Sequence, residues 1–291
     1  MKALKLILLL AGTWSTARAS AACESIPGSE QLWSSSVRWI WVGETHGSNE
    51  APAAFADLVC LALAHGREIT VALERPTSEQ AALENVLTSK DESAATKALL
   101  NEPGWRTSPD GRTSEAMLRL LLAQREMHKK YPALEVFAID GPSYTGAIGT
   151  RDEAIGRSVL SVATTRPNAL VLVFTGNVHG MREPLFNFTT SAMVLPGEQL
   201  VSLEFTNRKG SHAWNSTSVG CGDVPAGVAD KDAARPYGIY LDPALAPVGK
   251  VDGIFALAAA LTASAPAVGE MSPPPDCRKL YVEKHQPPAT P

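Results

Sequence analysis

Short apolar runs alternate with stretches of helical periodicity along the first two-thirds of the chain. Residues 37–42 (VRWIWV) form an apolar, aromatic-rich run stopped by Gly43, which predicts a buried strand. Over residues 51–65 the period changes, and Phe55, Leu58, Val59, Leu61 and Ala62 share one face of a helix. Residues 69–73 (ITVAL) predict a second strand ending at Glu74. Two or three helices fill residues 78–131; the clearest is 113–130, where Met117, Leu120, Leu121 and Gln124 follow i, i+3, i+4 spacing. Residues 134–139 predict a third strand ending at Asp140. A helix over 151–164 then turns Ile155, Val159 and Val162 inward. Residues 169–174 (ALVLVF) give a fourth strand ending in Thr175-Gly176-Asn177, and 200–205 a fifth.

Strands that alternate with helices imply crossover connections. The expected class is α/β, with a mainly parallel β-sheet flanked by helices on both faces. The near-continuous apolar character of the strands agrees, because a strand covered on both sides has no solvent face. In such a sheet ligands sit beyond the carboxyl ends of the strands. After about residue 207 the pattern degrades. There 237–241 and 280–283 suit edge strands, and 253–261 (GIFALAAAL) reads as a buried helix. Beyond Ser272 the proline-rich SPPPD and QPPATP runs predict a loose tail.

Residues 1–21 predict a secretory signal. Lys2 and Lys5 precede a short apolar core, and Ala19-Ser20-Ala21 supplies a small-residue cleavage pattern. The apolar run is far shorter than the ~20 residues of a spanning helix, so a membrane anchor is disfavoured. A lipid anchor at Cys23 ranks second, since the loose lipobox around it lacks the usual leucine. The expected organisation is a signal over 1–21, one α/β domain over 22–270 and a tail over 271–291, in an exported, periplasmic or secreted protein.

The chain has 291 residues, 45% hydrophobic, with a formal net charge of -4 and no basic stripe. Nucleic acid and anionic membrane surfaces are therefore poor partners; a small molecule fits better. In an oxidising compartment the four cysteines (Cys23, Cys60, Cys221, Cys277) predict one or two disulfides, with three pairings open. No C-x-x-C pair suggests a cysteine metal site. Oligomeric state is open.

Four predicted strands end in polar chemistry: Glu44 and His46, then Glu74 and Arg75, then Asp140, then Asn177 and His179. Gly43 and Gly47 flank the first pair, and Gly176 and Gly180 the last, where glycine lets backbone turn tightly or approach a ligand. Two chemistries suit such a set. A histidine oriented by a carboxylate activates water while Arg75 or Arg151 holds the oxyanion. Alternatively His46, His179 and Glu44 ligate a divalent metal that activates it. Gly141-Pro142-Ser143-Tyr144-Thr145-Gly146 loosely follows a nucleophile-elbow pattern, but its second glycine is one place late, and a simple turn is preferred.

Gly43-Glu44-Thr45-His46-Gly47, Ala72-Leu73-Glu74, Arg151-Asp152-Glu153 and Gly176-Asn177-Val178-His179, in that order, resemble the superfamily of erythromycin esterases, ChaN-type haem-binding lipoproteins and Tiki/TraB proteins. The likeness covers roughly residues 37–206. It implies an exported hydrolase of an ester, lactone or amide in which His46 activates water, Glu44 and Glu74 orient it, and His179 is a second acid/base. Arg75, Asp140, Arg151 and Asn177 would bind substrate. The esterase branch implies no cofactor, whereas the other branches imply a divalent metal or haem, with Tyr144 and the two histidines as candidate iron ligands. The chain is shorter than the esterases, leaving little room for their helical lid.

Overall fold

In the computed structural model, residues 23–107, 110–141, 148–185, 188–216, 221–226, 235–246 and 250–268 are described. The predicted signal, Ser143, Tyr144, Cys277, the 280–283 strand and the proline-rich tail fall outside them.

The elements follow the predicted alternation: β1 (Trp39–Glu44), α1 (Glu50–Ala64), β2 (Ile69–Pro76), α2 (Gln80–Thr88), α3 (Glu92–Leu100), α4 (Pro103–Thr107), α5 (Glu115–Lys130), β3 (Glu135–Asp140), α6 (Ile148–Thr165), β4 (Leu170–Gly176) and β5 (Leu200–Thr206). A hairpin, β6 (His212–Ser216) with β7 (Cys221–Pro225), precedes β8 (Gly238–Tyr240) and β9 (Gly253–Ala256). The main sheet has seven strands in the order β3-β2-β4-β1-β5-β9-β8. Every pairing in it is parallel except β8 with β9, where residues 237–241 supply the expected edge strand and run antiparallel.

Alternation along the strands sorts the core into two layers. Ile40, Val42, Val71, Leu73, Leu170, Leu172 and Phe174 face a layer built with α1, α2 and α5. Their neighbours Trp39, Trp41, Ala72, Val171 and Val173 face α6 through Ile155, Val159, Val162 and Ala163. Both sheet faces are thus covered, which is why the strand sequences carry no polar alternation. α5 starts where Ser114 caps the Met117 amide at 3.3 Å, and its last turn carries His128, Lys129 and Lys130, matching the helix dipole.

One element differs from expectation. Residues 253–261 do not form a helix; Gly253–Ala256 add to the open edge of β5, pairing Leu203 with Gly253 and Thr206 with Ala256. The run is apolar throughout, so its sequence carries no period, and the free strand edge decides its conformation.

Cys23 and Cys60 form a disulfide, with Cα atoms 5.6 Å apart, tying the start of the domain to α1. The Cys23 sulfur is therefore committed, and a lipid thioether at that residue does not fit. Cys221 is disulfide-bonded as well. Among the described residues no helix is long and apolar enough to cross a membrane.

Candidate active site

β1, β2, β3 and β4 lie side by side in the sheet, so their carboxyl ends open onto one edge. The pairing of Glu44 with Gly176 brings the two glycine-flanked turns into contact. The glycines serve close packing as well as the expected turn. A Cβ on Gly43 would stand 2.6 Å from the Asn177 Cα, so Gly43 lets one motif seat against the other. Gly47 (φ +93°) likewise admits the Trp214 backbone of β6. Its carbonyl accepts from the Trp214 amide at 2.9 Å and the Ser264 amide at 2.8 Å. Only Gly176 faces the chemistry, its Cβ position lying 3.0 Å from His46 Nε2.

The four residues predicted as catalytic converge. Glu44 Oε1 contacts His46 Nδ1 at 2.9 Å, and Glu74 Oε2 contacts His46 Nε2 at 3.3 Å. On the other side, Glu74 Oε1 lies 3.5 Å from His179 Nε2, whose Nδ1 is 2.8 Å from Asp152 Oδ1. Carboxylates and imidazoles therefore alternate through the sheet edge as Asp152, His179, Glu74, His46 and Glu44. Glu74, the centre of this chain, also accepts from the Gly176 amide at 2.7 Å, Arg151 at 2.7 Å and Arg112 at 3.0 Å.

The arginines divide differently from expectation. Arg151 meets both oxygens of Asp140, at 3.1 and 2.7 Å, as well as Glu74. Arg75 does not reach the cleft. It is 2% exposed, forked onto Glu79 and stacked 4.7 Å from the Trp105 ring, with Nη1 donating to the Arg112 carbonyl. The β2–β3 register shifts between Leu73 and Pro76, and there Glu74 turns to the histidines while Arg75 turns to Glu79 and Trp105. Arg112 takes the place expected for Arg75, clamped by Asp110 at 3.0 and 2.6 Å. Sequence reasoning missed Arg112, Asp110, Asp152 and Ser191. Only Asp152 had a signal, as part of the helix-opening Arg151-Asp152-Glu153 motif. Asn177 begins a 3-10 turn, half-buried, with its backbone on Gly43.

Burial opposes charge on His46, but Glu74 and Glu44 outweigh it and raise the ring's pKa to about 9. Burial also pushes Glu44 up. Glu74 is held well below the usual carboxylate range, where the two imidazoles overcome its own desolvation. On His179 burial likewise opposes charge, but Glu74 and Asp152 outweigh it and raise the pKa to about 9. Arg151 Nη1 stands 3.1 Å from its Nε2.

A divalent ion at His46, His179 and Glu44 does not fit these residues. Both His46 nitrogens already meet carboxylates, and Arg112 and Arg151 bring positive charge to Glu74, which lies between the two histidines. Among the described residues no cluster of His, Cys, Asp or Glu could hold a metal ion. Haem iron would meet the same engaged nitrogens, and Tyr144 lies outside the described residues.

Among solved structures, the fold is similar to an erythromycin esterase variant in its open conformation, with a TM-score of 0.53 and 11% identity over 66% of this chain and 77% of that one. A protein from Bacillus cereus gives a TM-score of 0.41 at 12% identity, over 68% of this chain and 72% of that one. A toxin effector domain from Vibrio vulnificus gives 0.43 at 16% identity, over 77% of this chain and 42% of that one. No family model matches the sequence, and no curated protein matches it. The chain has the erythromycin esterase fold, as its motifs implied.

Proposed function

We propose that the chain is an exported hydrolase that cleaves an ester, lactone or amide, using water activated at the histidine–carboxylate centre. The observation that carries this reading is the alternating chain from Asp152 to Glu44, flanked by two guanidinium groups at the open edge of the sheet. The esterase fold and the Cys23–Cys60 bond, of a kind that persists in oxidising compartments, support it.

His46 and His179 form the acid–base pair. One imidazole accepts a water proton as the water oxygen bonds to the substrate carbonyl carbon, and the carbonyl electron pair moves onto oxygen. Arg112 and Arg151, already charged and fixed by Asp110 and Asp140, stabilise that oxyanion. Collapse then breaks the bond to the leaving group, which takes a proton from the pair. General acid–base assistance of this kind contributes about 10²–10⁴-fold, and a fixed oxyanion donor on the order of 10²–10³-fold.

The test is a panel of p-nitrophenyl esters, lactones and anilides, assayed with the full exported chain and with H46Q and H179Q. Turnover of at least one compound, cut on the order of 10²-fold or more by each substitution, is the expected result. An inert wild type across the panel, with or without added Mn or Zn, overturns the reading; so does turnover that both substitutions leave unchanged.

A further inference from the structure

The described residues end in a stretch that the proposed chemistry leaves unused. Residues 263–267 belong to no strand of the main sheet, yet they bind main chain at two places beside the cleft. The Ser264 amide donates to the Gly47 carbonyl at 2.8 Å, and Ala263 bridges Ser48, both just after His46. Farther on, the Ala267 amide donates to the Thr113 carbonyl at 2.9 Å, and the Ala265 carbonyl accepts from the Glu115 amide at 2.8 Å. These two contacts hold the connection that carries Arg112. That connection lies directly on the His46 turn, because a Cβ on Gly111 would stand 2.3 Å from the Gly47 nitrogen.

The β6–β7 hairpin reaches the same place. Its Trp214 amide donates to the same Gly47 carbonyl at 2.9 Å, and its His212 amide donates to the Leu261 carbonyl at 2.9 Å. Two segments remote in sequence thus converge on one carbonyl next to His46. Backbone hydrogen bonds at the edge of a fold open locally unless something else ties them down.

A covalent tie is available. Cys221 pairs with Ser216 across the hairpin, on the strand that carries Trp214, and its sulfur is disulfide-bonded. Cys23 and Cys60 are bonded to each other, and no cysteine among the described residues is free. The chain has four cysteines, which leaves Cys277.

We infer that Cys221 and Cys277 form a second disulfide, and that this bond is a clasp positioning the His46 turn and the Arg112 connection. The pairing follows from the cysteines alone; its effect on turnover rests on the hydrolase reading above. The nine residues from Val268 to Cys277 can span about 30 Å at ~3.3 Å each, which lets the chain return to a hairpin already joined to Leu261. Two thiols lose two protons and two electrons as the S–S bond forms. A disulfide oxidant of the exporting compartment takes them up, its own S–S bond opening to two thiols. Ser264 then lies inside the closed loop, and Trp214 lies on the strand paired with its first cysteine. The Cys23–Cys60 bond has a different place. Cys60 sits in the second half of α1, away from the His46 turn that precedes the helix.

Peptide mapping of the full exported chain without reductant decides the pairing. The expected map links the peptide bearing Cys221 to the one bearing Cys277 within a monomer. Cys221 joined to Cys23, to Cys60 or to a second chain, or a free Cys277, overturns it. Hydrogen–deuterium exchange tests the clasp. In C277S the Trp214 and Ser264 amides should exchange about 10-fold faster or more, whereas C60S should leave them unchanged. On any ester the enzyme turns over, C277S should lower kcat on the order of 10–10²-fold and C60S should not, since small displacements of a catalytic group are costly. If C277S does not fold, the C23S/C60S chain, which keeps only the second bond, is measured before and after reduction by a phosphine. Amides that exchange alike with and without the second bond overturn the clasp, as does an unchanged kcat or an equal effect in C60S. An enzyme inert on every ester but showing the expected map and exchange overturns the hydrolase reading and leaves the clasp standing.

Discussion

Glu74→Gln separates the charge of the central carboxylate from its shape. The amide keeps one acceptor for the Gly176 amide and loses the anion that faces two imidazoles and two guanidinium groups. His46 is raised from 6.5 to about 9 with Glu74 as the leading attraction, which corresponds to about 3 kcal/mol. The His46 pKa is raised in the folded state, so this stabilisation is complete below pH 6.5 and is lost as pH climbs through about 9. Glu74 has the opposite sign: its lowered pKa stabilises the fold above the usual 4.5 and that contribution fades as pH falls. Urea unfolding of wild type should therefore lose about 3 kcal/mol from His46 and a similar amount from His179 between pH 6.5 and 9, with m unchanged. In E74Q most of that slope should vanish. The variant should also be about 3–5 kcal/mol less stable at pH 7, because it leaves buried cations short of a partner. Taking the difference between the two proteins removes groups that titrate alike in both. Parallel wild-type and E74Q curves would refute the electrostatic account of the site.

Three further outcomes follow from contacts outside that centre. Arg75→Met should cost about 3–5 kcal/mol in urea unfolding by leaving Glu79 buried and unpaired, while kcat of the folded fraction falls far less than in H46Q. Gly43→Ala should lower stability by about 1–3 kcal/mol and depress kcat, since its Cβ would press on the Asn177 Cα at 2.6 Å and part the two motifs. Cys60→Ser opens a link spanning 37 residues and should cost about 4 kcal/mol by the loop-entropy relation, checked by urea unfolding of both forms.

Much of the site was legible because each residue ends an apolar run or opens a helix. Glu44, Glu74, Asp140 and His179 stand at strand ends, and Arg151 stands in the first turn of α6. The choice between Arg75 and Arg112 was not legible. Alternation along a strand says that neighbours part to opposite faces, but not which face holds the cleft. Arg112 and Asp110 sit in the connection before α5, where no period marks a side chain as inward. The strand at Gly253–Ala256 was hidden for a similar reason: only the unpaired edge of β5 distinguishes it from an apolar helix.

The sequence by itself determined that strands and helices alternate, that both faces of the sheet are covered, and that ionisable groups gather at one edge. Those features follow from short-range periodicity, which local sequence carries in full. The tertiary structure alone decided which charge faces which. Protonation depends on partners about 3 Å away that come from β1, β2, β4, α6 and a loop, brought together by strand order. Two histidines in like sequence settings thus share Glu74 and differ in their second partners, Glu44 beside His46 and Asp152 with Arg151 beside His179.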